Sequence, residues 1–204
     1  MKRFLLALCI FVAGCGSSGD VLTVPGYGPP PQETPNTSVV FGATQDFPVM
    51  ADLPNGCGPM AATSWLWMLG PEGSLSPTPD AMAAELYASM DAVDLTSLGD
   101  FTRGINTFLL SRNIPGTLYV EAPATSVGFE TAKSFLTRKD PVWLMIEFDD
   151  GRRHYIAMTG FNPYYIQFED SLSLFDVGRL GSDPLYLYGY GAKIVAIIYF
   201  LKSN

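Results

Sequence analysis

Apolar and polar positions along this 204-residue chain change their period several times. Phe4 to Val12 is a continuous apolar run behind Met1-Lys2-Arg3. It is shorter than the roughly 20 residues a bilayer-spanning helix needs. A basic start before a short apolar stretch predicts a secretory signal, which takes no part in the fold. Gly16 to about Asn36 has no period and is rich in Gly, Ser and Pro, including Pro29-Pro30-Pro31. That composition predicts a flexible tether.

Regular patterning begins with Ser38-Val39-Val40-Phe41, which predicts a short strand. Pro59 to Leu69 reads as a helix, with Pro59 suited to a first helical position because no N–H is needed there, and Gly70-Pro71 ends it. Pro79 to Met90 is a second helix, with Met82, Leu86 and Met90 spaced by four. Leu98 to Leu110 is a third, ended by Asn113 and Pro115, and Phe129 to Leu136 a short fourth.

Past Asp140 the period becomes that of strands. Pro141 to Phe148, His154 to Gly160, Tyr164 to Phe168 and Lys193 to Leu201 are β-rich runs, with Leu185 to Tyr188 a further candidate. Asp149-Asp150-Gly151 and Asn162-Pro163 suit hairpin turns. Helices first and strands later predict an α+β fold with a largely antiparallel sheet. The length suits one domain, over 38–204, preceded by a signal at 1–14 and a tether at 15–37.

Composition narrows the function. Charged residues are 16% and hydrophobic residues 48%, a globular balance. Without Lys2 and Arg3 the mature chain has 12 − 2 = 10 basic residues against 20 acidic ones, a net charge near −10. No basic run is present to follow a phosphate backbone, which argues against nucleic acid and against electrostatic adhesion to anionic lipid.

The three cysteines separate by position. Cys9 leaves with the signal. Val12-Ala13-Gly14-Cys15 resembles a lipobox, where bacterial lipoproteins are lipidated on cysteine and cleaved just before it; Val12 stands where Leu is usual. The other reading is an ordinary secretory signal with Cys15 a bystander. Lipidation implies a chain anchored in the bacterial envelope, and Gly16 lacks the acidic side chain that retains some lipoproteins at an inner membrane.

Cys57 is then the only other mature thiol, with no intramolecular disulfide partner. It is a buried filler, an intermolecular link or a reactive thiol. Its setting, Asn55-Gly56-Cys57-Gly58-Pro59, favours the last. A cysteine at a helix N-terminus is stabilised as thiolate. Flanking glycines allow close approach, and the unpaired N–H groups there can hold an oxyanion. A thiol nucleophile needs a base, and the one histidine is His154, at the start of an apolar strand. Alternation puts it on the face of Ile156 and Met158. If the next strand pairs with it as a hairpin, Asp170 at that strand's end becomes its neighbour; Glu169 points the other way and is second choice. A lone strand histidine is more often structural, and Asp170 suits a turn.

These segments resemble the papain-like cysteine peptidases of the bacteriocin-processing, double-glycine type and their relatives. Asn55 to Leu69, "NGCGPMAATSWLWML", is similar to the family's nucleophile segment. Lys139 to Ser171, "KDPVWLMIEFDDGRRHYIAMTGFNPYYIQFEDS", resembles its second half, where a strand opening on histidine is followed by one ending in aspartate. The resemblance spans roughly Val39 to Phe200. It implies a papain-like fold, N-terminal helices packed on the sheet, and peptide-bond hydrolysis with Cys57 as nucleophile, His154 as base and Asp170 as orienting residue. The family's oxyanion glutamine has no counterpart six residues before Cys57, where Ala51 stands; Gln45 is the candidate, with Asn55 a substitute. Ser171 stands where a proline is common. No metal or other cofactor is implied, the substrate is a peptide or protein cleaved after small residues, and a monomer is expected. The alternatives are an inactive papain-like binding module, suited by the exposed-looking Tyr164, Tyr165, Tyr186, Tyr188 and Tyr190, and a thiol amidase or acyltransferase acting on cell-wall peptide.

Overall fold

The computed structural model describes 39–40, 53–70, 74–92, 96–162, 164–170, 173–180 and 182–203. The signal, Cys15, the tether, Gln45 and Ala51 lie outside the described residues. Twelve elements follow in chain order: β1 Val39–Val40, α1 Cys57–Trp67, α2 Pro79–Ser89, α3 Leu98–Ser111, β2 Gly116–Glu121, α4 Ser126–Thr137, β3 Val142–Phe148, β4 Arg153–Phe161, β5 Tyr165–Asp170, β6 Ser173–Leu180, β7 Tyr186–Tyr188 and β8 Ala192–Lys202.

The α+β expectation holds, and every strand pairing among the described residues is antiparallel. Two strands were not expected. Gly116–Glu121 carries too few buried positions to show alternation, and it pairs with the end of β8. Ser173–Leu180 mixes Asp, Gly and Arg into its pattern. Because β2 falls between α3 and α4, helices and strands are not fully segregated along the chain.

Pairings run β4–β3–β8–β7–β6–β5 and return to β4, so these six strands form a closed cycle; β1 joins β4 and β2 joins β8 outside it. Closure removes sheet edges that would otherwise present unpaired backbone. The hairpin turns fall as expected. Gly151 takes φ 85°, a left-handed conformation that costs glycine little. Asn162 accepts from the N–H groups of both Tyr164 and Tyr165, which closes the β4–β5 turn.

Alternation assigns the two faces. Trp143 pairs with Ala157 and Met145 with Tyr155, and their face meets α1 and α3. The Trp143 indole donates to the Ala61 carbonyl of α1 at 2.8 Å and meets the Phe101 ring of α3 edge-on. Val142 pairs with Tyr199 on the opposite face, where the Phe135 ring of α4 lies 4.2 Å from that of Tyr199. The helices therefore cover both faces, with α4 alone on its side.

α1 is the central helix. Cys57 to Leu66 are all buried, which explains its weak amphipathic pattern. Its interior hydroxyls bond back one turn, Thr63 to the Pro59 carbonyl and Ser64 to that of Met60. It starts two residues before the predicted Pro59. Pro59 is its third residue, a place where an N–H is still without an intrahelical acceptor.

Candidate active site

Cys57 is the first residue of α1 and is 5% exposed. The approach to it is a tight turn in which Gly56 N–H donates to the Leu53 carbonyl at 2.8 Å and Asn55 takes φ 57°. Gly56 is sterically required and Gly58 is closely packed. A Cβ on Gly56 would stand 2.5 Å from the Leu53 Cβ, and one on Gly58 would stand 3.0 Å from the Thr96 side chain. Glycine at Gly58 lets Thr96 sit against the first turn of the helix.

The end of α1 differs from the other helices. Thr78, Ser97 and Thr125 cap α2, α3 and α4 through their hydroxyls, and α2 and α3 each hold an aspartate in the first turn. Gly56 gives α1 no side-chain cap, and its first turn holds no acid. The partial positive charge of that end is thus left to Cys57 and to whatever binds beside it.

Ala61 of α1 meets Trp143, the partner of Ala157, and Trp65 meets Met158, so α1 advances along the sheet in the direction of β4. The Trp65 indole donates to the Met158 carbonyl at 3.0 Å, which fixes one level. From Trp65 back to Cys57 is eight helical residues, about 12 Å. From Met158 back to His154 is four strand residues, about 13 Å. Counting back along both elements brings Cys57 level with the opening of β4, where His154 and Tyr155 stand.

His154 is the second residue of β4 and is 7% exposed. It pairs with Ile146 of β3 and shares a face with Ile156 and Met158, as alternation predicted. The Phe148 ring lies 6.5 Å from its imidazole. The β4–β5 pairing begins only at Ala157, opposite Glu169, so among the described pairings His154 is flanked by β3 alone. Asp170 follows as the last residue of β5 and pairs in turn with Ser173 of β6. Continued by one residue, the β4–β5 register sets Asp170 opposite Ile156, two positions along from His154. The hairpin therefore forms as expected; the side chains of Glu169 and Asp170 lie outside the described residues.

Tyr155 was not singled out by pattern. It is 2% exposed and lies on the face under α1, its ring stacked on Phe101 at 4.3 Å and 8°. Burial first, and then the charge of Cys57, hold its phenol far above the ordinary range. Two residues before it, Arg153 pairs with Glu147 at 2.7 Å. The α3 end nearby carries Asp100, held below the usual carboxylate range by the Ser97 hydroxyl, with Arg103 adding to it. The tyrosines expected at the surface are mostly not there: Tyr164 is exposed, whereas Tyr165, Tyr186, Tyr188 and Tyr190 are half-buried. The Tyr186 hydroxyl donates to Asp149 in the β3–β4 turn, and the Tyr190 ring meets Phe168 edge-on.

No family model matches the sequence, and no curated protein matches it. Among solved structures, a crystal structure described as that of a C39-like peptidase from Bacillus anthracis is similar, with a TM-score of 0.54 at 12% identity. The match covers 81% of this chain and 98% of that one. The Pseudomonas avirulence protein AvrPphB is 14% identical over 79% of this chain and 100% of that chain, with a TM-score of 0.37. The first of these shares the fold, helices with an antiparallel sheet.

Proposed function

We propose that this chain is a cysteine peptidase with Cys57 as nucleophile, His154 as general base and Asp170 as the residue that orients the imidazole. The observation that carries the reading is the placement of α1. Its first residue is the mature chain's one candidate nucleophile, and it stands level with the end of β4 that bears the sole histidine. The uncapped helix end and the fold shared with a C39-like peptidase support the same reading.

The reaction proceeds in two halves. His154 takes the proton of the Cys57 thiol. The sulfur attacks a peptide carbonyl carbon and forms a C–S bond, and the carbonyl oxygen takes the negative charge. The N–H at the head of α1 holds that oxygen, with Gln45 as the second donor. Collapse breaks the C–N bond, and the leaving amine takes its proton from His154. Water then gives a proton to His154 and attacks the thioester, which releases the acid and restores the thiol. The substrate is a peptide or protein. Lipidation at Cys15 would tether the domain in the envelope, with 16–37 as the spacer.

Purified chain should hydrolyse members of a peptide library with small residues before the scissile bond. Cys57→Ala should abolish turnover, and His154→Ala should lower it by about 10²-fold or more. Turnover that survives Cys57→Ala would sink the reading. A folded chain that binds peptides but cleaves none would favour the binding module. Cleavage of wall fragments alone would favour the amidase. Fatty-acid labelling that disappears in Cys15→Ser tests the anchor.

A further inference from the structure

Thr96 stands just before the first turn of α3 and packs on the head of α1. Its Cβ, Cγ2 and Oγ1 each lie 3.0 Å from the place a Gly58 Cβ would take, so the branched side chain fills the space that glycine leaves one residue after Cys57. The Thr96 hydroxyl is enclosed and has no hydrogen-bond partner. Native interiors rarely leave such a group unpaired, so Thr96 is held here by packing and not by a polar bond. A β-branched side chain suits that task, because its χ1 is stiff. The next residue ties the contact to α3. Ser97 caps the helix, accepting from the Asp100 N–H at 3.1 Å, and the Phe101 N–H donates to the Ser97 carbonyl at 2.9 Å. The Phe101 ring in turn stacks on Tyr155, the residue after His154, at 4.3 Å. One capped turn of α3 therefore spans from the residue after Cys57 to the residue after His154. The two tryptophan bonds hold α1 farther along, at Ala61 and Trp65. Thr96 meets it within its first turn.

We propose that Thr96 is a positioning residue: its branched side chain, pressed against Gly58, sets where the Cys57 sulfur stands relative to the His154 imidazole. It acts through the backbone of α1 and takes no part in the bond-making steps. A thiolate–imidazolium pair is sensitive to separation, because the attraction between charges falls with distance. Removing the branch leaves a gap at Gly58 that the head of α1 can shift into, and the thiol then holds its proton more tightly. The hydroxyl is not what acts. Valine keeps the branch and loses no hydrogen bond, so it serves as well as threonine. The charged groups nearby, Asp100 with Arg103 and Arg153 with Glu147, are paired and are not altered by these substitutions. The inference rests on Cys57 and His154 being nucleophile and base.

The test follows iodoacetamide alkylation of Cys57 in the full chain between about pH 4 and 10, read on the Cys57 peptide by mass spectrometry. Wild type, Thr96→Ala, Thr96→Val, His154→Ala and Arg112→Lys are compared. Arg112→Lys loosens the far end of α3 and controls for lost stability. The expected Thr96→Ala profile is displaced upward by about one pKa unit, a rate about tenfold lower well below the midpoint. Thr96→Val and Arg112→Lys should superimpose on wild type. A Thr96→Ala profile that superimposes on wild type, beside a displaced His154→Ala profile, overturns the proposal and leaves the Cys57–His154 pair standing. A displaced Thr96→Val profile also overturns it, because the hydroxyl would then be what acts. A displaced Arg112→Lys profile does the same, since the shift would then report stability alone. An unmoved His154→Ala profile removes the pair, and the proposal with it. Should Thr96→Ala fail to fold, Thr96→Ser, which removes only the Cγ2 methyl, serves instead and should be displaced in the same direction. A Thr96→Ser profile lying on that of wild type would then overturn the proposal.

Discussion

The indole of Trp143 on β3 donates to the backbone carbonyl of Ala61 on α1 at 2.8 Å, joining residues 82 apart in sequence. A second indole, Trp65, makes the reciprocal bond from α1 to the Met158 carbonyl on β4. Each bond spends the one polar atom of a buried tryptophan on the helix–sheet seam. Together they fix both the height and the rotation of α1 against the strands, and hence where Cys57 stands. Trp143→Phe removes one bond and leaves a void beside Phe101. Urea unfolding should show a loss of about 1–3 kcal/mol. Any activity should fall by more than the unfolded fraction explains, because α1 loses one of its two anchors.

The turn before the nucleophile is equally constrained. A Cβ at Gly56 would stand 2.5 Å from the Leu53 Cβ and 2.7 Å from its carbonyl oxygen, and the backbone there cannot yield cheaply. Gly56→Ala should therefore destabilise by about 1–3 kcal/mol and slow Cys57 alkylation. Gly58→Ala meets only the Thr96 side chain at 3.0 Å, and alanine favours the helix. Its stability should change less than that of Gly56→Ala. Equal losses in thermal unfolding of the two variants would show that the Leu53 contact does not matter.

What the sequence made legible was whatever carried a strong local signal. α2 was readable from Met82, Leu86 and Met90 spaced by four, and α3 from a run ended by Asn113 and Pro115. β3, β4 and β8 were readable because buried β-branched and aromatic residues run through them. β2 was not, because its exposed, edge-like pattern carries little hydrophobic period and its place is set by pairing with β8. Tyr155 was hidden for another reason. Its face is fixed by the β3 register, and its enclosure by Phe101, 54 positions earlier; neither is written near it. Cys57 and His154 stood out because each is nearly alone of its kind, whereas their levels along α1 and β4 follow from two tryptophans far apart in the chain.

Arg112 ties the end of α3 to α2. Both terminal nitrogens meet the Glu85 carboxylate, at 2.5 and 2.6 Å, its Nε donates to the Leu75 carbonyl at 3.2 Å, and its guanidinium lies 4.4 Å from the Phe108 ring centroid. Lysine cannot reproduce the fork, the backbone bond and the stacking together. Arg112→Lys should cost about 1 kcal/mol and lower the midpoint of thermal unfolding by about 2–4 °C. In 1 M salt the difference should shrink, since the pair is partly exposed. A difference that salt leaves unchanged would assign the loss to the Phe108 and Leu75 contacts instead.

Tyr155 gives the chain an alkaline limit whose sign can be worked out. Its phenol is raised in the folded state by burial and then by the charge of Cys57. A group that binds its proton more tightly when folded contributes stability that is fully present below the unfolded pKa, about 10 for tyrosine. Above that pH the unfolded chain loses the phenol proton and the folded chain keeps it. The contribution is then lost progressively, by at most about 1.4 kcal/mol per pH unit. Tyr155→Phe has no such proton. Urea unfolding between about pH 8 and 11 should show wild type losing stability more steeply than Tyr155→Phe above pH ~10 and in parallel with it below. Parallel curves throughout would mean that the phenol ionises as easily in the folded chain, and that the enclosure beneath α1 opens at high pH.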